Sequence, residues 1–323
     1  MKIKSVGVVL SYYREKYKLT LNQVCDGICS ASTLMRLEDG VRCVDSLTSS
    51  LLLERIGKEV CQFEQLLNDQ DYDLWRARES ILAHMQKKDY VRVREELLNY
   101  RKMENFNSDL HEQFCLYQEV VMLIEDLEEG NLKQQEIWEK VYETAQEALQ
   151  LTKHGTIFED YRKKQLYTTT EAELILILIH YGKNKAYIQK EEILLDLFHH
   201  VKYYDTERRK QELGSKILLE IIDLAQKQQD LDKVLFYIDQ GIDYVSQGRA
   251  CAGLEQFRFL RAQTLLTRYG ADALKDDIKR HEIQKECLMA YSICEVFGDK
   301  QQIKVIERFC EEELKWQITE LVM

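Results

Sequence analysis

Proline is absent from all 323 residues of this chain. It is the usual breaker and kink source in helices, so its absence favours long uninterrupted ones. Thirteen glycines leave few other breaks. Long apolar runs are also missing. The longest, Leu174 to Ile179, falls far short of the ~20 residues needed to span a bilayer. The opening stretch MKIKSVGVVLSYYREK has too short an apolar run for a signal peptide and no small-residue cleavage site. The nine cysteines, an odd number, are scattered from Cys25 to Cys310 without a dense pairing pattern. Together these absences indicate a reduced, soluble, cytoplasmic protein with no membrane partner. Positive charge is in short supply as well. A net charge of -11 excludes wholesale coating of nucleic acid.

The acidity is uneven. Residues 1–65 carry nine Lys/Arg against eight Asp/Glu, so the deficit lies almost wholly in the remainder. The tip of this front segment, with Lys2, Lys4, Arg14, Lys16 and Lys18 against Glu15, is basic. Residues 1–66 divide into five short helical segments: Val6–Tyr17, Leu19–Cys25, Ser30–Glu38, Leu47–Ile56 and Glu59–Leu67. Within them lies LTLNQVCDGICSASTLMRLEDG, Leu19–Gly40. Val24 and Ile28 are spaced to pack one helix, Cys29 and Ser30 make a turn, and Leu34 and Leu37 anchor a second helix. Ser30 suits its N-cap. Ala31, Ser32, Thr33, Met35 and Arg36 then face outward, small enough to approach base edges, with Arg36 long enough to reach a phosphate. A helix serving only a core would put apolar residues there. This is a helix-turn-helix, whose second helix enters the major groove with its N-terminal residues leading.

These residues resemble the XRE/Cro (lambda-repressor-like) domain. More narrowly, GICSASTLMRLEDG is similar to that domain in Gram-positive regulators joined to tetratricopeptide-like repeats, the Rgg/PlcR-like RRNPP quorum-sensing group. The resemblance implies a transcription regulator that binds a palindromic double-stranded DNA operator as a homodimer. It further implies a repeat domain that takes a short signalling peptide. The expected DNA-binding set is Lys18, Ser30, Ala31, Ser32, Thr33, Met35 and Arg36.

From Asp71 onward the helical segments lengthen and pair: 71–87 with 89–102, 108–129 with 132–152, 169–181 with 185–203, 206–228 with 230–247, and 252–269 with 276–297. A last helix follows at 299–321. Leu231, Val234, Ile238, Ile242 and Val245 recur at 3-4-4-3 spacing, a helix stripe. First helices of the pairs recur at roughly 40 residues, longer than the ~34 of a regular tetratricopeptide repeat. Residues 174–179, LILILI, would suit a buried strand, but Thr170 with Glu173 can cap a helix and no other strand stands ready to pair with it. The expected fold is all-α: a helix-turn-helix domain over 1–68, then a right-handed superhelix of divergent tetratricopeptide-like hairpins over 69–323. Stacked pairs curve, with first helices inside. Polar residues bordering the apolar faces there, Tyr117, Glu173, His180, Lys216, Glu220, Arg258 and Arg261, form the candidate peptide site. Arg258 and Arg261, three apart on one face, would clamp a carboxylate. The final helix carries Ile303, Ile306, Phe309, Cys310, Leu314, Trp316 and Ile318 without a polar cap, which points to a mate in a second subunit.

No catalytic set, cofactor site or metal site is expected. His111 and Cys115 share a helix face but lack a third ligand. His199 and His200 point about 100° apart on a helix. GKNK, residues 182–185, lacks the glycine loop of a phosphate site. Two other readings stay open: repeats that serve only dimerisation or protein docking, and a repeat scaffold that does not bind DNA.

Overall fold

The computed structural model describes residues 6–58, 69–104, 106, 108–128, 134–153, 165–183, 187–204, 207–247, 253–270 and 273–318. All regular structure among them is helical. The front holds α1 (Val6–Lys16), α2 (Leu21–Cys25), α3 (Ala31–Glu38) and α4 (Ser46–Arg55). The expected fifth segment, 59–67, lies outside the described residues. There follow α5 (Asp69–Gln86), α6 (Tyr90–Tyr100), α7 (Asp109–Glu128), α8 (Gln134–Gln150), α9 (Thr169–Tyr181), α10 (Tyr187–Tyr204), α11 (Glu207–Lys227), α12 (Leu231–Gln247), α13 (Leu254–Tyr269), α14 (Asp277–Phe297) and α15 (Lys300–Glu313). The helices begin where the sequence supplies caps. Ser30, Asp45, Asp89, Asp276 and Asp299 each accept a hydrogen bond from a backbone N–H of the first turn, satisfying donors that have no partner within the helix.

By packing, the chain forms two compact units, residues 1–206 and 207–323. In the first, α5 pairs with α6 and α7 with α8, and α9 packs on α8. In the second, α11 to α15 each pack on the next. Within the first unit the front helices share a core with the repeat hairpins. Leu10, Val24, Leu34, Leu52 and Ile56 are fully buried there together with Leu110 and Leu166, and Tyr204 packs against them.

Two local expectations need correction. The cap of α9 is Thr168 with Glu171, not Thr170 with Glu173: the Glu171 N–H donates to Thr168 Oγ1 at 3.2 Å, and the Thr168 N–H to a Glu171 oxygen at 2.8 Å. Glu173 instead accepts the hydroxyl proton of Tyr117. The last helix stops at Glu313, eight residues before 321. Lys315 takes a left-handed backbone (φ 50°) and the Trp316 N–H returns to the Cys310 carbonyl at 3.0 Å. That reversal folds Leu314 and Ile318 back beside Ile306 and Cys310, all buried against α13 and α14. Part of the apolar face for which a second subunit was expected is thus covered within its own unit, while Ile303, Phe309 and Trp316 stay half-buried. Burying the covered side chains stabilises each by about 1.5–3 kcal/mol without any partner.

Candidate nucleic-acid interface

The short α2 is set by a capping box. The Gln23 N–H donates to Thr20 Oγ1 at 3.2 Å, and the Gln23 carboxamide oxygen accepts from the Thr20 N–H at 2.9 Å. A three-residue turn then passes through Gly27, whose positive φ of 69° suits glycine alone at low cost. Ser30 caps α3 by accepting from the Thr33 N–H at 3.1 Å, and its hydroxyl lies 2.9 Å from those of both Ser32 and Thr33. Leu34 and Leu37 point into the front core. Ser30, Ser32, Met35 and Arg36 are exposed, while Ala31 and Thr33 are half-buried. One helix thus has a rigid apolar back and a small polar front.

Charge around this front is sorted by ion pairs. Arg14 grips Glu38 through two hydrogen bonds of 2.7 Å, joining α1 to the last turn of α3. That hydrogen bonding raises the Arg14 pKa further above its ordinary value. Glu38 is thereby occupied, and Arg36 has no ion-pair partner among the described residues. Arg14, counted with the basic tip in the sequence, is spent inside the fold. Lys18 stays exposed in a left-handed turn (φ 55°), whereas Lys2 and Lys4 lie outside the described residues. Sequence reasoning missed Arg42. After Gly40 the chain folds back so that the N–H groups of Val41 and Arg42 both donate to the Arg36 carbonyl, at 2.9 and 3.2 Å. The exposed Arg42 guanidinium then reaches Thr33 Oγ1 at 3.4 Å. The glycine closing the motif was the available signal, since a reversal there returns the next residues to the same helix. Together Lys18, the hydroxyls at the start of α3, Arg36 and Arg42 offer what a phosphate backbone accepts: N–H and O–H donors and mobile positive charge.

The back of the motif rests on the repeat hairpins of its own unit. A β-carbon at Gly27 would lie 1.8 Å from the Thr152 carbonyl oxygen. Lys153 donates to Asp26 at 2.9 Å and to the Leu166 carbonyl at 3.1 Å, and the Thr169 N–H donates to Glu54 at 3.1 Å. Beneath these, Arg55 meets Glu171 through one nitrogen and both carboxylate oxygens, at 2.8 and 3.0 Å, with both side chains wholly buried. Burial acts to raise the Glu171 pKa, but the charges of Arg55 and Lys153 outweigh it and hold the carboxyl below its usual range. This seam leaves Ser32, Met35 and Arg36 exposed.

The peptide candidates fall into both units. Tyr117 and Glu173 bond each other, and His180 is exposed beside the rings of Trp138 and Tyr181. In the second unit Lys216 is exposed and Glu220 half-buried. Arg258 and Arg261 do clamp a carboxylate, and it is the chain's own. Glu286, buried on α14, lies 3.0 Å from Arg258 and 2.9 Å from Arg261, which also reaches Asp239 at 3.0 Å. A cleft of about 310 Å³ lies elsewhere, between α5 and α6, lined by Asp73, Arg76, Ser80, Glu96 and Tyr100. His111 is buried against the Tyr100 hydroxyl, and burial first, then the charge of Arg78, presses its pKa down to about 4. Its role is a neutral core hydrogen-bonding group.

A short helix-turn-helix followed along the chain by paired helices is a fold that known structures share. Among solved structures, the chain is similar to Bacillus thuringiensis PlcR in complex with the peptide PapR7 and DNA. The TM-score is 0.51 at 14% identity, covering 94% of this chain and 98% of that one. It is also similar to the competence regulator ComR from Streptococcus vestibularis (TM-score 0.44, 16% identity, 94% and 96% covered) and to the Streptococcus dysgalactiae SHP pheromone receptor Rgg2 (0.43, 10%, 96% and 100%). No protein-family model matches the sequence, and no curated protein is significantly similar to it. No described helix is long and apolar enough to cross a membrane.

Proposed function

We propose that this chain is a transcription regulator that binds a palindromic operator as a homodimer, one α3 in each of two major grooves. The observation that carries the reading is the composition of α3. Its back is two buried leucines, and its front is Ser30, Ser32, Met35 and Arg36, exposed and held by a serine cap. Arg42, held against Thr33, and the exposed Lys18 are the phosphate contacts on this reading. A front segment so nearly neutral supplies few phosphate contacts per copy, so affinity needs two copies spaced about one helical turn, ~34 Å, apart. The test is selection of full-length protein on random duplexes, followed by titration on the enriched sequence at several salt concentrations. Arg36→Ala is expected to weaken binding and to lower the salt slope by about 1. Enrichment of no sequence, or unchanged binding by Arg36→Ala, would remove the reading.

The repeats, on this proposal, receive a short signalling peptide, as the PlcR complex with PapR7 suggests by analogy of fold. Tyr117, Glu173, His180, Lys216, Glu220, Arg258 and Arg261 remain the candidates. A specific observation favours the alternative in which the repeats serve only dimerisation or docking: Arg258 and Arg261 already hold Glu286, so a peptide carboxylate must displace it. Calorimetry with short peptides encoded beside the gene separates the two, since only the first reading gives heat that changes with Arg258→Ala.

A further inference from the structure

Two cysteines bracket the turn that precedes α3. Cys25 ends α2 and Cys29 stands just before the Ser30 cap, with the Cys29 N–H donating to the Cys25 carbonyl at 3.0 Å. That bond closes one turn of backbone, whose α-carbons stand roughly 6 Å apart, within the span a disulfide bridges. Cys25 is buried, but Cys29 is partly open to solvent. Neither the core nor the DNA-facing surface needs a sulfur pair here, since a small apolar residue at each place would pack as well. A second cysteine pair, Cys287 on α14 and Cys310 on α15, is sealed in one core with both residues at 0% exposure. The contrast isolates what is special about the front pair: two sulfurs on one turn and an entrance.

We propose that Cys25 and Cys29 form a dithiol that hydroperoxides oxidise to a disulfide across the turn of the helix-turn-helix, loosening the start of α3. In the first step a thiolate sulfur attacks the peroxide, the O–O bond breaks, and hydroxide leaves and takes up a proton as water. The attacked sulfur is then a sulfenic acid. In the second step the neighbouring sulfur displaces its oxygen, which departs as a second water. Two thiols and one hydrogen peroxide become one disulfide and two waters. The neighbouring Cys29 thiol first, then the Arg55 charge, hold the Cys25 thiol down to about 7, the direction that favours the attacking thiolate.

The bond must bring the sulfurs to about 2.05 Å. One side of the turn cannot yield, because Gly27 lies directly against the Thr152 backbone. The other side is the Ser30 cap, held by hydrogen bonds to Thr33 and Ser32 at an exposed surface. Movement therefore goes into the first turn of α3. The oxidation chemistry stands whether or not α3 binds DNA; a change in DNA affinity rests on the reading above.

The chain offers a direct readout, because Leu19–Arg36 is a single tryptic peptide containing both cysteines. Full-length protein is treated with a few equivalents of hydrogen peroxide, alkylated, digested and weighed. The expected product is that peptide unalkylated and lighter by two hydrogens, taking two alkyl groups once dithiothreitol is added, while Cys287 and Cys310 stay alkylated. Cys29→Ser should abolish the lighter species. In the oxidised protein, hydrogen exchange across Ser30–Glu38 should quicken severalfold. The proposal is overturned if both cysteines remain alkylated at a dose that oxidises the exposed Cys43, or if oxidation stops at added oxygen without a cross-link. Unchanged exchange in α3 after complete cross-linking would overturn the claim that the turn transmits it.

Discussion

Arg55→Met tests whether the front helices are held to the repeats as described. The substitution removes a guanidinium that is fully buried, donates to both oxygens of Glu171 and also reaches the Val24 carbonyl at 3.3 Å. Glu171 would remain in the same cavity with Lys153 as its nearest positive charge. Breaking a buried pair from one side costs about 3–5 kcal/mol, because the surviving charge is left uncompensated. Part of that cost is escapable, since the stranded carboxyl can take up a proton. The penalty at pH 7 should therefore shrink by up to about 1.4 kcal/mol for each pH unit of acidification, down to the ordinary carboxylate range. The companion Arg55→Met/Glu171→Leu removes both charges. It should recover most of the loss apart from roughly 1 kcal/mol for the capping bond that Glu171 makes to Thr168. Urea denaturation by circular dichroism gives the totals, and hydrogen exchange in α4 and α9 locates the loss. An Arg55→Met cost under about 1 kcal/mol would match a solvated pair and refute the buried seam.

Gly27 and Gly40 have nearly the same backbone, with φ of 69° and 70°, but only Gly27 faces another chain segment at contact distance. Gly40→Ala should cost only the left-handed strain of about 1–2 kcal/mol, and Gly27→Ala clearly more, as a lower melting temperature of the front unit. His200 is wholly buried, and burial drives its pKa down to about 3 against the hydrogen bond to Tyr167. It is neutral in the fold, so its contribution is complete above the unfolded value of about 6.5 and is lost as pH falls toward 3. Stability should drop by about 1.4 kcal/mol per pH unit for this group between those limits, and His200→Gln should flatten a urea-midpoint-versus-pH plot by that amount. Arg258→Ala/Arg261→Ala strips Glu286 of both its partners and should destabilise the second unit by about 2–3 kcal/mol, with Glu286→Gln added to the pair restoring much of it. Thermal melts of the two variants beside the unchanged protein check this, and no destabilisation would mean that the arginines are free for a ligand.

Helices were legible because their signals are local. The 3-4-4-3 stripe from Leu231 to Val245 became α12, and Ser30 capped α3, because an apolar period and a cap act within one or two turns. The same holds for Val24, Ile28, Leu34 and Leu37, which set which face of the helix-turn-helix is core and so which face stays exposed. The similarity of residues 1–66 to one family of regulators rested on that local pattern too.

What the residues could not reveal alone was choice among equivalent partners. Either of two threonines could cap α9, with Thr168 three residues before Glu171 and Thr170 three before Glu173. Glu171 was selected because Arg55, 116 positions earlier, is buried against it, and Glu173 was freed for Tyr117. Two arginines spaced for a carboxylate were readable on α13, but Glu286 as the carboxylate was not. The apolar end of the chain looked unpartnered until the turn at Lys315 folded it onto its own unit. Sequence alone determined the helices, their buried faces and the polar front of α3, since each depends on neighbours along the chain. Tertiary structure decided which charges neutralise one another and which apolar faces stay open, because low-dielectric burial and contact act across space, where sequence separation carries no weight.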